Sequence, residues 1–288
     1  MTRKKIAILS LICLLLFFII IIVSLLAIKS DYRFIISEKL ASLSRSADCE
    51  IVDIQYVERS LDDLYGDSSV KFDDSLLLIN SSYMLSNEYV PDIVSYKDVL
   101  MSGTIVDSYV SLADSVMEKY GKSLYIISSY RTAEEQEDIV NQKEEDVAAK
   151  VGASEHQSGL ALDVYVSGYS GKAFIKCEEG RYVNTHCYEY GFIIRYPYGE
   201  KSITGITYEP WHIRYVGYPH AELIYMNSLT LEEYITSFFK DNVFYEYDNY
   251  IISRQKESVT LMIPEDCKNI VISPDNTGYY IITAEKNS

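Results

Sequence analysis

The stretch that decides the fold is SEHQSGLALD, residues 154–163, which places His156 and Asp163 seven positions apart. A second run, EPWH at residues 209–212, adds Glu209 and His212. The chain has only four histidines, and two of them lie in these runs beside carboxylates. Two imidazoles and one carboxylate fill three positions of a tetrahedral zinc ion and leave the fourth for water. The pattern therefore predicts a site for one Zn2+ ion, made by His156, Asp163 and His212.

The spacing of the first run indicates a turn followed by a strand. His156 and Asp163 are farther apart than the three or four positions that separate neighbours on one helical face. A turn at Ser158-Gly159 would bring them together, because glycine permits the required backbone angles. Beyond it, apolar residues alternate over positions 160–165, which predicts a strand that carries the aspartate. The second histidine would come from a separate strand, Trp211–Tyr215.

Glu209 lies three residues before His212 and has three interpretations, of which one is a surface carboxylate in a turn before Pro210. As a general base it would take a proton from the water in the open position of the zinc. As a fourth ligand it would close that position. We favour the base, since three ligands are already present and a catalytic zinc keeps one position open.

Two further residues are candidates for the same site. Arg131 ends the run SSYR at residues 128–131, where a predicted strand meets a helix. A guanidinium fixed there would stabilise the oxyanion formed when hydroxide attacks a carbonyl, although an ordinary strand-end ion pair is the alternative. Trp211, the only tryptophan, either walls the pocket or packs in the core.

The amino terminus predicts a membrane anchor. Residues Ile6–Ile28 are uncharged and mostly apolar, and a helix of ~20 residues crosses a bilayer. The run RKK at residues 3–5 predicts a cytoplasmic amino terminus, with the catalytic domain extracellular. A cleaved signal peptide is the alternative, but the run exceeds the usual ~7–15 apolar residues and no small-x-small site follows. We therefore expect a single-pass protein of the cell membrane.

The charge of the chain limits its partners. The first 30 residues hold four basic and no acidic residues, so the 26 basic and 42 acidic residues of the chain leave the remainder with a net charge of −20. Nucleic acid is excluded as a partner on this ground, because phosphate binding needs a basic surface.

Outside the predicted membrane span the cysteines are Cys49, Cys177, Cys187 and Cys267. We expect Cys177 and Cys187 to pair in an oxidising exterior, with free thiols as the alternative.

Patterning divides the chain into four parts. Residues 1–30 are the cytoplasmic tip and anchor, 31–75 a stalk or extension, 76–228 the metal-binding domain, and 229–288 a helix and small β module. Predicted elements include strands at Leu76–Asn80 and Ser123–Ser129, helices at Thr104–Tyr120 (ended by Gly121), from Thr132 to about Lys150, at Arg181–Tyr190 and at Leu231–Asp241, and short carboxy-terminal strands within Val243–Ile252, Val259–Ile263, Asn269–Ile272 and Tyr279–Thr283. The fold class is α+β, with a small, mostly antiparallel sheet and flanking helices carrying the zinc site.

These motifs together resemble the zinc D-alanyl-D-alanine carboxypeptidases of the VanY type, in the fold group that includes VanX dipeptidases and the hedgehog signalling domain. The resemblance covers residues 76–217, about half of the chain. The stalk and the β module lie outside it. Its motifs, in order, are LLIN (77–80), YVP (89–91), SSYR (128–131) with Gln136, SEHQSGLALD (154–163), YGFIIRYP (190–197), TG (204–205) and EPWHIRYVG (209–217).

The resemblance implies roles for individual residues. It implies that His156, Asp163 and His212 bind zinc, that Glu209 is the base and that Arg131 stabilises the transition state. Contacts to substrate are implied for Gln136 and Ser154, and we add Trp211 as a pocket wall. The resemblance implies glycine where Ser129 stands, a small departure that could alter the turn presenting Arg131.

The implied reaction is hydrolysis of the D-Ala-D-Ala bond at the end of peptidoglycan stem peptides or precursors. Removal of terminal D-alanine also removes the target of vancomycin-type antibiotics. Alternatives within the fold are a D,D-dipeptidase, an L,D-carboxypeptidase or an endopeptidase of cross-links. A module that binds wall peptides without cleaving them is disfavoured, because Glu209 and Arg131 are both present.

Overall fold

The computed structural model describes residues 3–86, 88–142 and 149–287 of the chain. It divides into two compact units, Met1–Ser44 and Arg45–Ser288. The first contains helices α1 (Arg3–Ile28) and α2 (Ser30–Ser42). The predicted span at Ile6–Ile28 is not confirmed: taken over the described residues, no helix combines the length and the apolar character needed to cross a bilayer.

The second unit is of mixed α and β structure, as predicted. Its helices are α3 (Leu61–Tyr65), α4 (Val106–Tyr120), α5 (Ala133–Gln142), α6 (Glu178–His186), α7 (Lys201–Thr204), α8 (His220–Met226) and α9 (Leu231–Glu233). Its strands are β1 (Glu50–Val52), β2 (Tyr56–Ser60), β3 (Val70–Phe72), β4 (Ile93–Tyr96), β5 (Val99–Ser102), β6 (Tyr125–Ser128), β7 (Ala161–Tyr165), β8 (Phe192–Ile194), β9 (His212–Tyr215), β10 (Phe244–Tyr247), β11 (Tyr250–Lys256), β12 (Thr260–Pro264), β13 (Cys267–Pro274) and β14 (Tyr279–Lys286).

A four-stranded antiparallel sheet of order β6-β7-β9-β8 carries two of the three predicted metal ligands, Asp163 and His212. Strand β7 lies in its interior, paired with β6 on one side and β9 on the other. The register sets Asp163 opposite His212 on β9 and opposite Ser128 on β6. Because the partners of an antiparallel pair lie ~4.5–5.5 Å apart, the two predicted ligands must be neighbours.

Helix α4 packs its apolar face against this sheet, as the spacing predicts. Tyr109, Leu112 and Val116 are buried in the core with apolar residues of the sheet strands. The helix ends at Gly121, whose φ of +66° is one that glycine adopts without strain.

Helix α5 begins with the predicted capping box. The backbone N–H of Glu135 donates to Thr132 Oγ1, and the backbone N–H of Thr132 donates to the Glu135 carboxylate. The remainder of the predicted helix, beyond Gln142, lies in part outside the described residues.

The prediction of a stalk over residues 31–75 is wrong for its second half. Strands β1 and β3 belong to a six-stranded sheet of order β1-β10-β11-β14-β13-β3, and β2 pairs with β12. The carboxy-terminal module is therefore closed by strands from before the metal-binding region. Pairs between residues about 200 positions apart leave no local signal, since each strand is only three to five residues long.

Two predicted elements differ from the structure. Residues Leu76–Ile79 are buried as expected but form no strand, because their backbone groups bond elsewhere. The carbonyl of Leu77 accepts from Arg214, and the N–H of Leu78 donates to the carbonyl of Asp275. The predicted helix over Leu231–Asp241 is shorter in the structure: it consists of α9 followed by a π-helical turn at Tyr234–Phe238.

The expected disulfide between Cys177 and Cys187 does not form, and both are buried free thiols. The two cysteines flank the nine-residue helix α6. At ~1.5 Å of rise per residue their Cα atoms lie about 15 Å apart, well beyond the ~4.4–6.8 Å of a disulfide. The Cys177 sulfur instead accepts a hydrogen bond from the N–H of Gly180 at the start of the helix.

Candidate metal centre and active site

The three predicted metal ligands converge. Ligand atoms of His156, Asp163 and His212 all lie within 4.8 Å of one another. Asp163 Oδ1 is 2.9 Å from His212 Nδ1, and Oδ2 is 3.5 Å from His156 Nε2. Two of the residues face each other across β7 and β9, and the third comes from a short 3-10 turn, Glu155–Ser158.

The turn that presents His156 depends on Gly159, as the sequence predicts. Gly159 has a φ of +72° and ends the 3-10 turn. A Cβ there would overlap the side chain of Ile93 and lie 2.9 Å from the backbone nitrogen of Ser102. Glycine is required here both by the backbone angle and by the close approach of β5.

Each histidine has one ring nitrogen turned away from the cluster. His156 Nδ1 lies 2.8 Å from the carbonyl oxygen of Ser129 and donates to it, which leaves Nε2 towards Asp163. His212 Nε2 lies 3.5 Å from Glu155 Oε2, which leaves Nδ1 towards Asp163. The other ring nitrogen of a metal-bound histidine is usually held in this way. The contact uses the backbone carbonyl of Ser129, so it does not depend on the side chain at that position.

The electrostatics of the metal-free cluster follow from burial and close pairing. Burial raises the pKa of the Asp163 carboxyl, but its bonds with His156 and His212 outweigh burial and hold that pKa well below its usual range. Burial lowers the pKa of His156. Burial also opposes the charged form of His212, yet Asp163 and Glu155 raise its pKa to about 9. A metal ion at this site would therefore replace a proton on His212.

Glu209 lies beside the cluster but outside the set of three. Its carboxylate Oε2 is 4.0 Å from His212 Nδ1, and its side chain is 26% exposed. The segment is fixed by two hydrogen bonds: the backbone N–H of Glu209 donates to the Tyr196 carbonyl, and the Asn184 amide donates to the carbonyl of Pro210. A partly exposed carboxylate at the edge of the cluster suits proton transfer better than coordination.

Arg131 is anchored by side-chain and backbone hydrogen bonds. Its guanidinium donates to Gln136 Oε1 at 2.7 Å and to Ser128 Oγ at 2.9 Å. Its backbone N–H donates to the carbonyl of His156, so one backbone hydrogen bond joins the arginine to a predicted metal ligand.

The residues predicted to touch substrate have different positions. Gln136 is buried, and its amide bonds Arg131 at one end and the Ala149 carbonyl at the other, so it holds the arginine in place. Ser154 is buried at the start of the 3-10 turn. Trp211 is half-buried and packs against the main core, and its carbonyl accepts from the backbone of Val164.

A buried group of charges behind the ligands was not predicted. Glu155, Arg195 and Arg214 are almost completely buried, and the glutamate accepts from both arginines. Arg195 also forms a forked ion pair with Glu232 of α9. The sequence signal that could have predicted this group is an arginine inside each of two mostly apolar runs, FIIRY and HIRY. A charge buried in such a run needs a partner of opposite charge.

Comparison with known proteins agrees with the resemblance. Residues 99–218 match the family model described as VanY, D-alanyl-D-alanine carboxypeptidase. A D-alanyl-D-alanine carboxypeptidase of Enterococcus faecium is 38% identical over 179 residues, 57% of this chain and 58% of the relative. The bifunctional D-Ala-D-Ala dipeptidase and D-Ala-D-Ala carboxypeptidase VanXYC of Enterococcus gallinarum is 35% identical over 180 residues, 56% of this chain and 93% of the relative.

Solved structures extend the match. The vancomycin resistance D,D-dipeptidase VanXYg, in complex with a D-Ala-D-Ala phosphinate analog, aligns with a TM-score of 0.62 at 27% identity and covers 82% of this chain and all of that chain. A mutant of the vancomycin resistance D,D-pentapeptidase VanY, in complex with Zn(II), aligns with a TM-score of 0.51 at 31% identity over 56% of this chain and 99% of that chain. The chain therefore belongs to the VanY family of D-alanyl-D-alanine carboxypeptidases.

Proposed function

We propose that this chain is a zinc D,D-carboxypeptidase that hydrolyses the terminal D-Ala-D-Ala bond of peptidoglycan stem peptides. The observation that carries the proposal is the convergence of His156, Asp163 and His212, with the Glu209 carboxylate 4.0 Å from one ligand atom. The family membership gives the substrate class. The chain spans 58% of the length of the Enterococcus faecium relative, so its own activity has to be measured directly.

The donor set fits zinc. Two imidazole nitrogens and one carboxylate are the ligands of many catalytic zinc sites, and each imidazole here has its second nitrogen directed at an oxygen of Ser129 or Glu155. A zinc ion held by His156, Asp163 and His212 would act as a Lewis acid that activates water and polarises the peptide carbonyl.

The remaining steps belong to residues of the chain. The Glu209 carboxylate would accept a proton from the attacking water and then deliver it to the nitrogen of the departing D-alanine. The Arg131 guanidinium, fixed by Gln136 and Ser128, would stabilise the negative charge that develops on the carbonyl oxygen. In comparable enzymes, general acid–base catalysis raises the rate about 10²–10⁴-fold. One donor that stabilises the oxyanion contributes about 10²–10³-fold.

The test is release of D-alanine from a pentapeptide that ends in D-Ala-D-Ala, by the full chain in detergent, with and without a chelator. We expect zinc-dependent release of one D-alanine per peptide, lost with the chelator and restored by added zinc. Absence of release from zinc-loaded protein would overturn the proposal.

A D,D-dipeptidase is the second candidate, favoured by the likeness to VanXYC and to VanXYg, which are both named as dipeptidases. The free dipeptide D-Ala-D-Ala and the pentapeptide separate the two. A carboxypeptidase cleaves the pentapeptide with the higher kcat/KM, whereas a dipeptidase prefers the free dipeptide. Tetrapeptide and cross-linked muropeptides, analysed by mass spectrometry, separate L,D-carboxypeptidase and endopeptidase activity in the same way.

We also propose, on sequence alone, that Ile6–Ile28 anchors the chain in the cell membrane with its catalytic domain outside. This position would place the site beside peptidoglycan precursors at the outer face. The test is fractionation of cells that express the full chain or a form without residues 1–30. Recovery of both forms in the soluble fraction would contradict the anchor. In a vancomycin-sensitive host, activity at this place would raise the inhibitory concentration of the antibiotic.

A further inference from the structure

Glu155 precedes the predicted ligand His156 in the sequence and faces the predicted ligand His212 in space. Glu155 is fully buried, with Oε1 accepting from Arg195 Nε at 2.6 Å and from Arg214 Nη1 at 3.0 Å. Its other oxygen, Oε2, lies 3.5 Å from His212 Nε2. Both of these atoms are buried, and among the described residues neither has a hydrogen-bond partner within bonding distance. Glu155 Oε2 and His212 Nε2 therefore face each other.

The chemistry of this contact decides which nitrogen of His212 carries the proton. A guanidinium only donates hydrogen bonds, so the two arginines keep Glu155 ionised and accepting. An ionised carboxylate only accepts, so the ring nitrogen in front of it must hold a hydrogen. The lone pair of His212 is then on Nδ1, the atom 2.9 Å from Asp163 in the ligand cluster.

We propose that Glu155 is a positioning residue that holds His212 with the proton on Nε2 and Nδ1 free for the metal, and that Glu232 of α9 completes this arrangement from the carboxy-terminal part of the chain. The proposal rests on the metal site of the proposed function but not on its substrate. It gives the segment after residue 218, where the family model ends, a role in metal binding.

Glu232 acts through Arg195. The Arg195 guanidinium donates to Glu232 Oε1 at 2.6 Å and to Oε2 at 2.8 Å, while its third nitrogen bonds Glu155. Asn80 also donates to Glu232. With Arg214 the group holds two positive and two negative charges. Removal of Glu232 would leave one uncompensated positive charge close to a site that must bind a divalent cation, where low dielectric makes such repulsion strong.

The decisive variant is Glu155→Gln. The arginines still require an oxygen in front of them, so the amide must turn its NH2 group towards His212 Nε2. That nitrogen then becomes the acceptor, and the proton moves to Nδ1, where it competes with the metal. Loss of a carboxylate behind a metal-bound histidine weakens metal binding about 10–100-fold in comparable sites.

The measurement is the zinc dissociation constant of the full chain in detergent, by competition with a chromogenic chelator. We expect about 10–100-fold weaker binding by Glu155→Gln, and a smaller loss of affinity in Glu232→Gln. Glu118→Gln on the exposed side of α4 is the matched control and leaves the constant unchanged. A folded Glu155→Gln protein that binds zinc as the wild type does would overturn the role of Glu155, and an unchanged constant in Glu232→Gln would overturn that of the carboxy-terminal segment.

A second measurement needs no variant and decides the case if Glu155→Gln fails to fold. Long-range 1H–15N spectra of the zinc-loaded wild type, labelled at its four histidines, report which nitrogen of His212 is protonated. A proton on Nε2 supports the proposal, and a proton on Nδ1 overturns it. Neither measurement uses a peptide, so failure of the enzyme to release D-alanine would sink the proposed function and leave this inference standing.

Discussion

Asp163 on β7 and His212 on β9 lie directly opposite each other, with Asp163 Oδ1 2.9 Å from His212 Nδ1. The pairing register of two strands thus brings together two ligands that are 49 positions apart in the chain. A one-residue slip of this register would turn one of the two side chains to the other face of the sheet. The proximity of these two predicted ligands therefore depends on the strand pairing.

Replacement of Asp163 by asparagine should remove metal binding. The amide keeps the shape but loses the charge that pairs with a divalent cation, so we expect zinc affinity to fall more than the ~10–100-fold seen for outer hydrogen-bond partners of ligands. Activity should fall with it. Chelator competition measures the loss, and Asp53→Asn, at an exposed position, is the control. Wild-type affinity in Asp163→Asn would remove this residue from the ligand set.

Replacement of Glu209 by glutamine should separate catalysis from metal binding. Because Glu209 lies outside the three converging ligands, we expect kcat to fall about 10²–10⁴-fold while zinc affinity stays near the wild-type value. Glu118→Gln serves as control. A large loss of zinc affinity in Glu209→Gln would instead favour the fourth-ligand role.

Replacement of Gln136 by alanine should act through Arg131. The arginine loses the acceptor at 2.7 Å that fixes its guanidinium, so we expect a fall in kcat with little change in KM. The fall should be smaller than the ~10²–10³-fold expected for Arg131→Ala. Steady-state kinetics with a D-Ala-D-Ala pentapeptide measure both. A rise in KM alone would indicate that Gln136 contacts the substrate.

Replacement of Gly159 by alanine should disturb the turn that presents His156. The new Cβ would meet Ile93 and Ser102, in addition to the strain of about 1–3 kcal/mol for a non-glycine residue at positive φ. We expect a lower melting temperature and weaker zinc binding. Gly168→Ala is the matched control, since Gly168 has a φ of +84° and open space around its Cα. Equal effects of the two substitutions would contradict a special role for the close approach at Gly159.

Stability should fall in mild acid because of His220. This histidine is buried between Tyr234 and Thr283, and burial lowers its pKa to about 4. Between that value and ~6.5 the unfolded chain binds a proton that the folded chain excludes, so the free energy of unfolding decreases as the pH is lowered from 6.5 towards 4, by about 3 kcal/mol at most.

Urea unfolding of the metal-free protein at pH 7 and pH 5 measures this contribution. His220→Gln should lose the part of the pH dependence that the buried histidine contributes, whereas His186→Gln, at a half-buried position, should keep it. The same pH dependence in the wild type and in His220→Gln would assign the effect to other groups.

Local sequence patterns predicted the elements around the candidate site. The periodicity of α4, the capping box of Thr132 and Glu135, and the alternation that gives β7 each depend on residues within a few positions of one another. The family motifs then named the converging ligands. Such patterns are readable because a helix or strand imposes a fixed spacing on its buried residues.

Tertiary structure alone decided the long-range relationships. The pairing of β1, β2 and β3 with β10, β12 and β13, the free thiols at the two ends of α6, and the ion pairs that join Glu155 to Arg195 and Arg195 to Glu232 depend on which distant segments meet. The spacing of residues along the chain does not predict such long-range contacts. They follow from how whole elements pack and from the need of each buried charge for an opposite partner. The sequence by itself predicted which residues would bind a metal ion, and the packing of the complete unit decided what holds those residues in position.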